Sequence, residues 1–332
     1  MSEAPAPAPV MARWHRWRHL LAVLSFAAGV ASFLLFERQE KVAQALVVLL
    51  PLSWLLAMAE PWLQRLAHRL PMSPLAVGYM VQGLHQESFF FTLPFFLATT
   101  TWLSGQAFFT GLLALLALGS MIDPFYFNWV LKRRWALWAF HAAAAFITLL
   151  AAAPMLWQLR TAQSLMLAAA GLALVSLPAW SAALVRLGAL RWPLALAAAT
   201  LLAGAVLELR GAVPPATLWV NRALMTQAVD IAAKQPGPAL QAVDAAALHQ
   251  QGLYAWTPIR APRGLDERIE HLWLHRGQVV DRIPIEIHGG REEGYRAWTH
   301  KQAFPAEPQG DWEVRVVTEG GQLLGLLHFT VH

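Results

Sequence analysis

Cysteine is absent from all 332 residues. That excludes disulfides, thiolate metal sites and a cysteine nucleophile. Charge is scarce too: Asp, Glu, Lys and Arg make up 14% of the chain, against about 25% in an average soluble protein. The 57% of apolar residues excludes a disordered chain and argues against an ordinary soluble enzyme. Catalytic signatures are also lacking. The chain has no Gly-rich phosphate loop, no G-x-S-x-G around a serine and no H-E-x-x-H.

The charges that are present divide unevenly. Residues 1–209 hold thirteen Lys/Arg against seven Asp/Glu, whereas residues 210–332 hold twelve against thirteen. The basic excess therefore sits in the first part, scattered between apolar runs. Nucleic-acid binding needs a basic stripe on a folded surface, so no nucleic-acid partner is expected. Sparse cations between apolar runs are the mark of a membrane orientation signal.

A bilayer core about 30 Å thick takes roughly 20 apolar residues as helix. Uncharged runs of near that length occur at Leu20–Phe36, Val42–Ala59, Ala107–Ile122, Trp135–Ala153, Ser164–Val185 and Trp192–Leu207. Trp62, Trp102, Trp135, Trp157 and Trp192 stand at or near their ends, as interfacial Trp does. The stretch 75–103 is less simple, because His85, Gln86 and Glu87 fall near its middle. It reads either as one long crossing or as a re-entrant pair.

Counting cations favours one crossing. With the N-terminus in the cytoplasm, the inside loops hold Arg13, Arg16, Arg18, Arg65, Arg69, Lys132, Arg133, Arg134, Arg186 and Arg191. The outside loops hold only Arg38, Lys41 and Arg160. Seven spans follow, with the C-terminal part outside. The first run meets Glu37 with no small-residue cleavage site, so it reads as an uncleaved span rather than a signal peptide. Ahead of it, SEAPAPAPV has little to bury and reads as disordered.

After Leu209 the long apolar runs stop, and short alternating segments separated by turn residues take over, as in a β-sandwich or barrel. Strands are expected at Leu253–Ile259, Ile269–His275, Val279–Ile287, Tyr295–Lys301, Asp311–Val317 and Leu323–Val331, with an earlier one around Leu218–Val229. Arg276-Gly277-Gln278 and Gly320-Gly321 supply turns, and Asp244–Gln251 a short helix. The expected fold is a membrane all-α bundle of about seven spans followed by an extracytoplasmic all-β, immunoglobulin-like sandwich. The expected boundaries are a cytoplasmic arm at 1–19, spans over 20–209, a connector with the first strand at 210–249 and the sandwich core at 250–332.

The run HLWLHRGQVVDRIPIEI, then YRAWTHK, then GDWEVRVVTEGGQLLGLLHFTV resembles a bacterial domain-of-unknown-function family. Trp273, Arg296, Trp298, Lys301, Gly310, Trp312, Gly321, Leu324 and Phe329 occupy the places of its ordered pattern. The likeness covers roughly residues 250–332, and the first half, with HQESFFFTLPFF, is similar to the multi-span partner fused to that domain. The resemblance implies a bacterial inner-membrane protein with a periplasmic sandwich. It implies no activity.

Candidate chemistry centres on Gln82, His85, Gln86 and Glu87. Ionisable groups inside a span are costly and face the bundle interior. Pro94 lacks an N–H and frees the carbonyl of Phe90, which could join the same polar pocket. The cluster reads either as a proton or solute site, or as a structural group with Glu87 protonated or paired with a histidine such as His141. Asp123, before Pro124, reads as a helix stop and ion-pair member, and His141 as a hydrogen-bonded packing residue. His271 and His275 lie about 13 Å apart if on one strand, too far to share an ion, so no metal or cofactor is expected. Trp256, Trp273, Trp298 and Trp312 read as core or as an aromatic platform. Arg296 and Trp298 share a strand face that can bind a ligand or simply pack. The leading function is a non-enzymatic envelope scaffold or sensor whose periplasmic sandwich binds a protein, peptide or glycan, with the bilayer as its other partner. The alternative is a transporter or proton-coupled channel using Gln82, His85 and Glu87. A membrane-embedded enzyme ranks last, for want of a nucleophile or metal set.

Overall fold

The computed structural model describes Leu24, Ala27 and residues 74–332 other than Glu292. The expected arm at 1–19 and the expected spans at 20–36 and 42–59 therefore lie outside the described residues, apart from those two positions.

Among the described residues, five long helices precede the strands: α1 (Pro74–Thr99), α2 (Gln106–Met121), α3 (Arg134–Trp157), α4 (Thr161–Ala183) and α5 (Arg191–Glu208). The Ala- and Leu-rich sequences of α2 to α5 favour helix. Pro94, Pro154 and Pro178 each sit inside one of them, at the loss of one backbone hydrogen bond apiece. The region 75–103 contains one continuous helix, α1, running through Pro94.

Three stretches, Arg134–Trp157, Thr161–Ala183 and Val185–Glu208, are long and apolar enough to cross a membrane. A fourth joins them if Gln106–Met121 and Asp123–Val130, bent by 89°, count as one span. The expected count of seven is thus not supported among the described residues. In α1 the polar run Gln82, His85, Gln86 and Glu87 dilutes the apolar character. Helix α2 has 16 residues, only about 24 Å of rise. It stops where Ile122 adopts an extended conformation ahead of Asp123-Pro124, and a π-helical turn, Tyr126–Val130, follows.

The C-terminal region is β-rich. Strands β1 (Trp219–Val220), β2 (Leu224–Thr226), β3 (Val229–Asp230), β4 (Gln235–Pro236) and β5 (Ala242–Val243) precede helix α6 (Ala245–Gln251). Six longer strands follow: β6 (Leu253–Arg260), β7 (Asp266–His275), β8 (Gln278–His288), β9 (Tyr295–Lys301), β10 (Gly310–Thr318) and β11 (Leu323–Val331). One sheet runs β1-β6-β2, with β9 also paired to β6; a larger one runs β5-β11-β10-β7-β8; and β3 pairs with β4 as a separate two-stranded ribbon. All pairings in the larger sheet are antiparallel except β5 with β11. The single early strand expected around Leu218–Val229 is three short ones, because Asn221, Arg222 and Gln227 interrupt it. Arg276 and Gly277 both have positive φ, the geometry of a two-residue hairpin turn between β7 and β8.

The two sheets share one hydrophobic core. Leu253, Ala255, Ile259 and Ala297 of the first meet Ile269, Trp273, Trp312, Val314, Val316, Leu327 and Phe329 of the second. Alternation sets this packing: Trp312, Val314 and Val316 are buried, while Arg315 between them is exposed. The Trp312 indole N–H donates to the Pro308 carbonyl at 2.7 Å, so its burial leaves no polar atom unsatisfied.

The chain forms two compact units, each assembled from three stretches. Among the described residues, the helical unit contains 74–95, Gly111–Ala152 and Leu167–Leu207; the β unit contains Phe96–Thr110, Ala153–Met166 and Glu208–His332. Two helix-connecting turns therefore belong to the β unit. Within it, Gln106 Nε2 donates to the Leu323 carbonyl at 2.7 Å, and the Thr161 N–H donates to Glu267 Oε2 at 2.7 Å.

Candidate functional site

In the helical unit, Gln82, His85, Gln86 and Phe89 follow at i, i+3, i+4 and i+7 along α1 and so share one face. All four are buried. Pro124 has no N–H to offer the Ser120 carbonyl four residues back. Two glutamine side chains take that acceptor instead: Gln82 Nε2 and Gln86 Nε2 each donate to the Ser120 carbonyl at 2.8 Å. Gln82 Nε2 also reaches Asp123 Oδ1 at 3.0 Å. The proline that matters for these glutamines is Pro124, not Pro94.

His85 lies between two further polar groups. Its Nδ1 is 2.7 Å from the Tyr126 hydroxyl, and its Nε2 is 2.6 Å from His141 Nδ1. Tyr126 is fully buried in the π-helical turn, and His141 comes from α3. Phe89 and Phe140 pack against the His85 ring, and Trp138 against His141. His141 Nε2 is buried with no hydrogen-bond partner among the described residues. Glu87 is half-buried and points about 200° around the helix from His85. The structure thus joins Gln82, Gln86 and His85 to Ser120, Asp123, Tyr126 and His141. Tyr126 and Ser120 were not legible as members. The signal for Ser120 was present: a proline four residues downstream frees a carbonyl.

In the β unit, Arg296 and Trp298 lie on the outer side of β9. Trp298 stacks on Trp256 across the strand pair, with centroids 5.3 Å apart and planes 12° apart. Trp256 is buried and Trp298 half-buried. Arg296 is engaged, donating to the Ala233 carbonyl at 3.2 Å and pairing with Glu293. Trp273 and Trp312 are core.

A cleft of about 600 Å³ opens on the outer face of the larger sheet. Leu272, Val317 and Leu326 give it apolar surface, and Arg282, Glu313 and Arg315 charge. Arg282 pairs with Glu270 at 3.4 Å, and Arg315 pairs with Glu313.

Two titratable groups of this unit are displaced from their ordinary ranges. His271, wholly buried between the Thr257 and Thr299 hydroxyls at 2.8 Å each, is lowered to about 3 by burial. Burial pushes the Glu267 carboxyl up, opposed by hydrogen bonds from Thr161 and Arg268 and by the Arg160 charge. No three His, Asp or Glu side chains gather as a metal site among the described residues.

These features define a protein with apolar, span-length helices and a β-rich C-terminal domain. It belongs to a family of unknown function (DUF5924), whose model matches residues 5–255. A second model, protein of unknown function (DUF2914), matches residues 266–331. No curated protein and no solved structure matches the chain.

Proposed function

We propose that the chain is an integral protein of a bacterial cytoplasmic membrane, crossing about seven times, with its β domain on the outer side as a non-enzymatic binding module. The observation that carries this is which helix turns join the β unit. The turns after α1 and after α3 do so, through Gln106 and Thr161. The turns after α2 and α4 belong to the helical unit and, with the first residues of α3 and α5, hold Lys132, Arg133, Arg134, Arg186 and Arg191, whereas the turn after α3 holds Arg160 alone. Cations gather on the cytoplasmic side, so this alternation favours an outer β domain.

The strand order supports an immunoglobulin-like reading. The run β11-β10-β7-β8 corresponds to G-F-C-C′ and β1/β2-β6-β9 to A-B-E, with a buried Trp273 in the C position. As a scaffold or sensor, the domain would take a protein, peptide or glycan. The cleft, which combines apolar and charged surface, is favoured as the site over the Arg296–Trp298 face.

A single cysteine at Gln278 tests the orientation, since the natural chain has none. A thiol reagent that crosses the outer but not the inner membrane is expected to label it in whole cells. Labelling only after the inner membrane is broken would reverse the orientation. Photo-crosslinkers at Leu326 and at Trp298 test the site. Products are expected from Leu326; products from Trp298 alone would move the site to that face, and none from either would remove the binding role.

A further inference from the structure

Tyr126, His85 and His141 form a continuous run of polar contacts. Three side chains from three separate segments are joined end to end by contacts of 2.7 and 2.6 Å. Two of them are imidazoles, each able to accept a proton on one nitrogen while releasing one from the other. Neither histidine has a carboxylate hydrogen-bonded to it among the described residues. His85 is faced by Tyr126, His141, Phe89 and Phe140, and His141 by His85 and Trp138. The nearest carboxylate tied to the cluster is Asp123, through Gln82. Glu87 lies on the same helix, on another face.

We propose that Tyr126, His85 and His141 form a proton relay within the membrane domain, with His141 Nε2 as its open end. The chain has two neutral registers. In one, the Tyr126 hydroxyl donates to His85 Nδ1, the His85 Nε2–H donates to His141 Nδ1, and His141 Nε2 carries a proton with no acceptor among the described residues. In the other, His141 Nδ1–H donates to His85 Nε2, and His85 Nδ1–H donates to the tyrosine oxygen. His141 Nε2 is then a bare lone pair. A proton arriving there moves the Nδ1 proton of His141 to His85 Nε2, and the Nδ1 proton of His85 leaves toward Tyr126. The tyrosine oxygen takes that proton as its own hydroxyl proton passes to a water molecule, the acceptor this step requires. One proton enters, one leaves, and the chain ends in the first register. Burying His141 Nε2 without a partner among the described residues costs stability, and a relay uses that nitrogen as its open end.

This inference rests on the membrane reading above. The purified full chain is reconstituted into liposomes enclosing a pH dye, and a potassium-diffusion potential drives proton entry. Protein that fails to float with the vesicles would overturn the membrane reading itself. With protein in the vesicles, acidification at least tenfold above protein-free liposomes is expected. His85→Gln and His141→Gln should each return it to background, and Glu87→Gln should leave it unchanged. Background flux from the natural chain, or full flux from His141→Gln, would overturn the relay. If the histidine variants do not fold, nitrogen-15 histidine spectra of the natural chain in bilayers decide. The two rings should titrate as one coupled pair, and independent titration would overturn the proposal.

Discussion

Glu267 accepts a 2.7 Å hydrogen bond from the backbone N–H of Thr161, the first residue of α4. A carboxylate from β7 thereby satisfies an N–H at a helix start, where the helix dipole also favours negative charge. The site is dry: Glu267 is 3% exposed. Desolvation outweighs these favourable contacts, so the carboxyl titrates above its ordinary range.

The sign of the consequence follows from linkage. A native pKa above the unfolded one means that the folded protein holds the proton more tightly. That stability is complete below the unfolded value of about 4.3 and is lost as pH rises through the native value. Glu267→Gln keeps an acceptor oxygen and removes the charge. It is expected to match or exceed the natural chain in thermal stability at pH 7 and to flatten this part of the pH profile. Glu267→Ala, which strands the Thr161 N–H, should cost about 1–2 kcal/mol.

His271 should act with the opposite sign. It stays neutral in the fold down to about pH 3, while the unfolded chain takes up a proton near pH 6.5. Its contribution is complete above pH 6.5 and should fall by about 1.4 kcal/mol per pH unit below it. Denaturant midpoints at pH 7 and pH 5 measure this in the natural chain and in Glu267→Gln, where the opposing carboxyl is absent. A midpoint in Glu267→Gln that does not move would contradict a neutral, buried His271.

The two glutamines on the Ser120 carbonyl should prove redundant. Gln86→Leu leaves Gln82 in place and is expected to cost under about 1 kcal/mol. The double change Gln82→Leu with Gln86→Leu strands the carbonyl that Pro124 cannot serve, and should cost more than the two single changes together. Thermal melts of the detergent-solubilised set give the coupling directly.

Trp312→Ala should remove about 3–5 kcal/mol of stability. The indole is 1% exposed, stacks near Phe329 and has its N–H bonded to Pro308. Unfolding followed by far-ultraviolet circular dichroism checks it; an unchanged midpoint would contradict the inward register of β10.

The longer strands were legible because period-two alternation sustained over seven residues or more identifies a half-buried strand. Tyr295–Lys301 and Leu323–Val331 appear with the expected bounds. Strands β1 to β5 have two or three residues each, too few to show any period. In the candidate site, Gln82, His85 and Gln86 stood out as polar residues in an apolar run. Of their partners, His141 and Asp123 were singled out as well; Ser120 and Tyr126 were not, because they contribute a backbone carbonyl freed by a proline and a tyrosine in a π-helical turn, which leave no pattern of side-chain types. Gln106 and Thr161 were equally silent, since one donates to a backbone carbonyl and the other donates through its own backbone N–H.

The two family matches meet between residues 255 and 266, inside or just after β6, the central strand of the smaller sheet. The second match holds β7 to β11 but none of β1, β2 and β6. Expressed alone, residues 266–331 would be a book with most of one cover missing, since β9 is all that remains of the smaller sheet: Ile269, Trp273 and Val314 would face water where Leu253, Ala255 and Ile259 now close over them. Residues 213–332, which carry both sheets, should give a dispersed, β-rich spectrum, and residues 266–331 a collapsed or aggregated one. Any other protein that carries the second module must bring its missing cover from elsewhere in its own chain, so the unit that can be inherited intact is longer than the segment that sequence similarity marks.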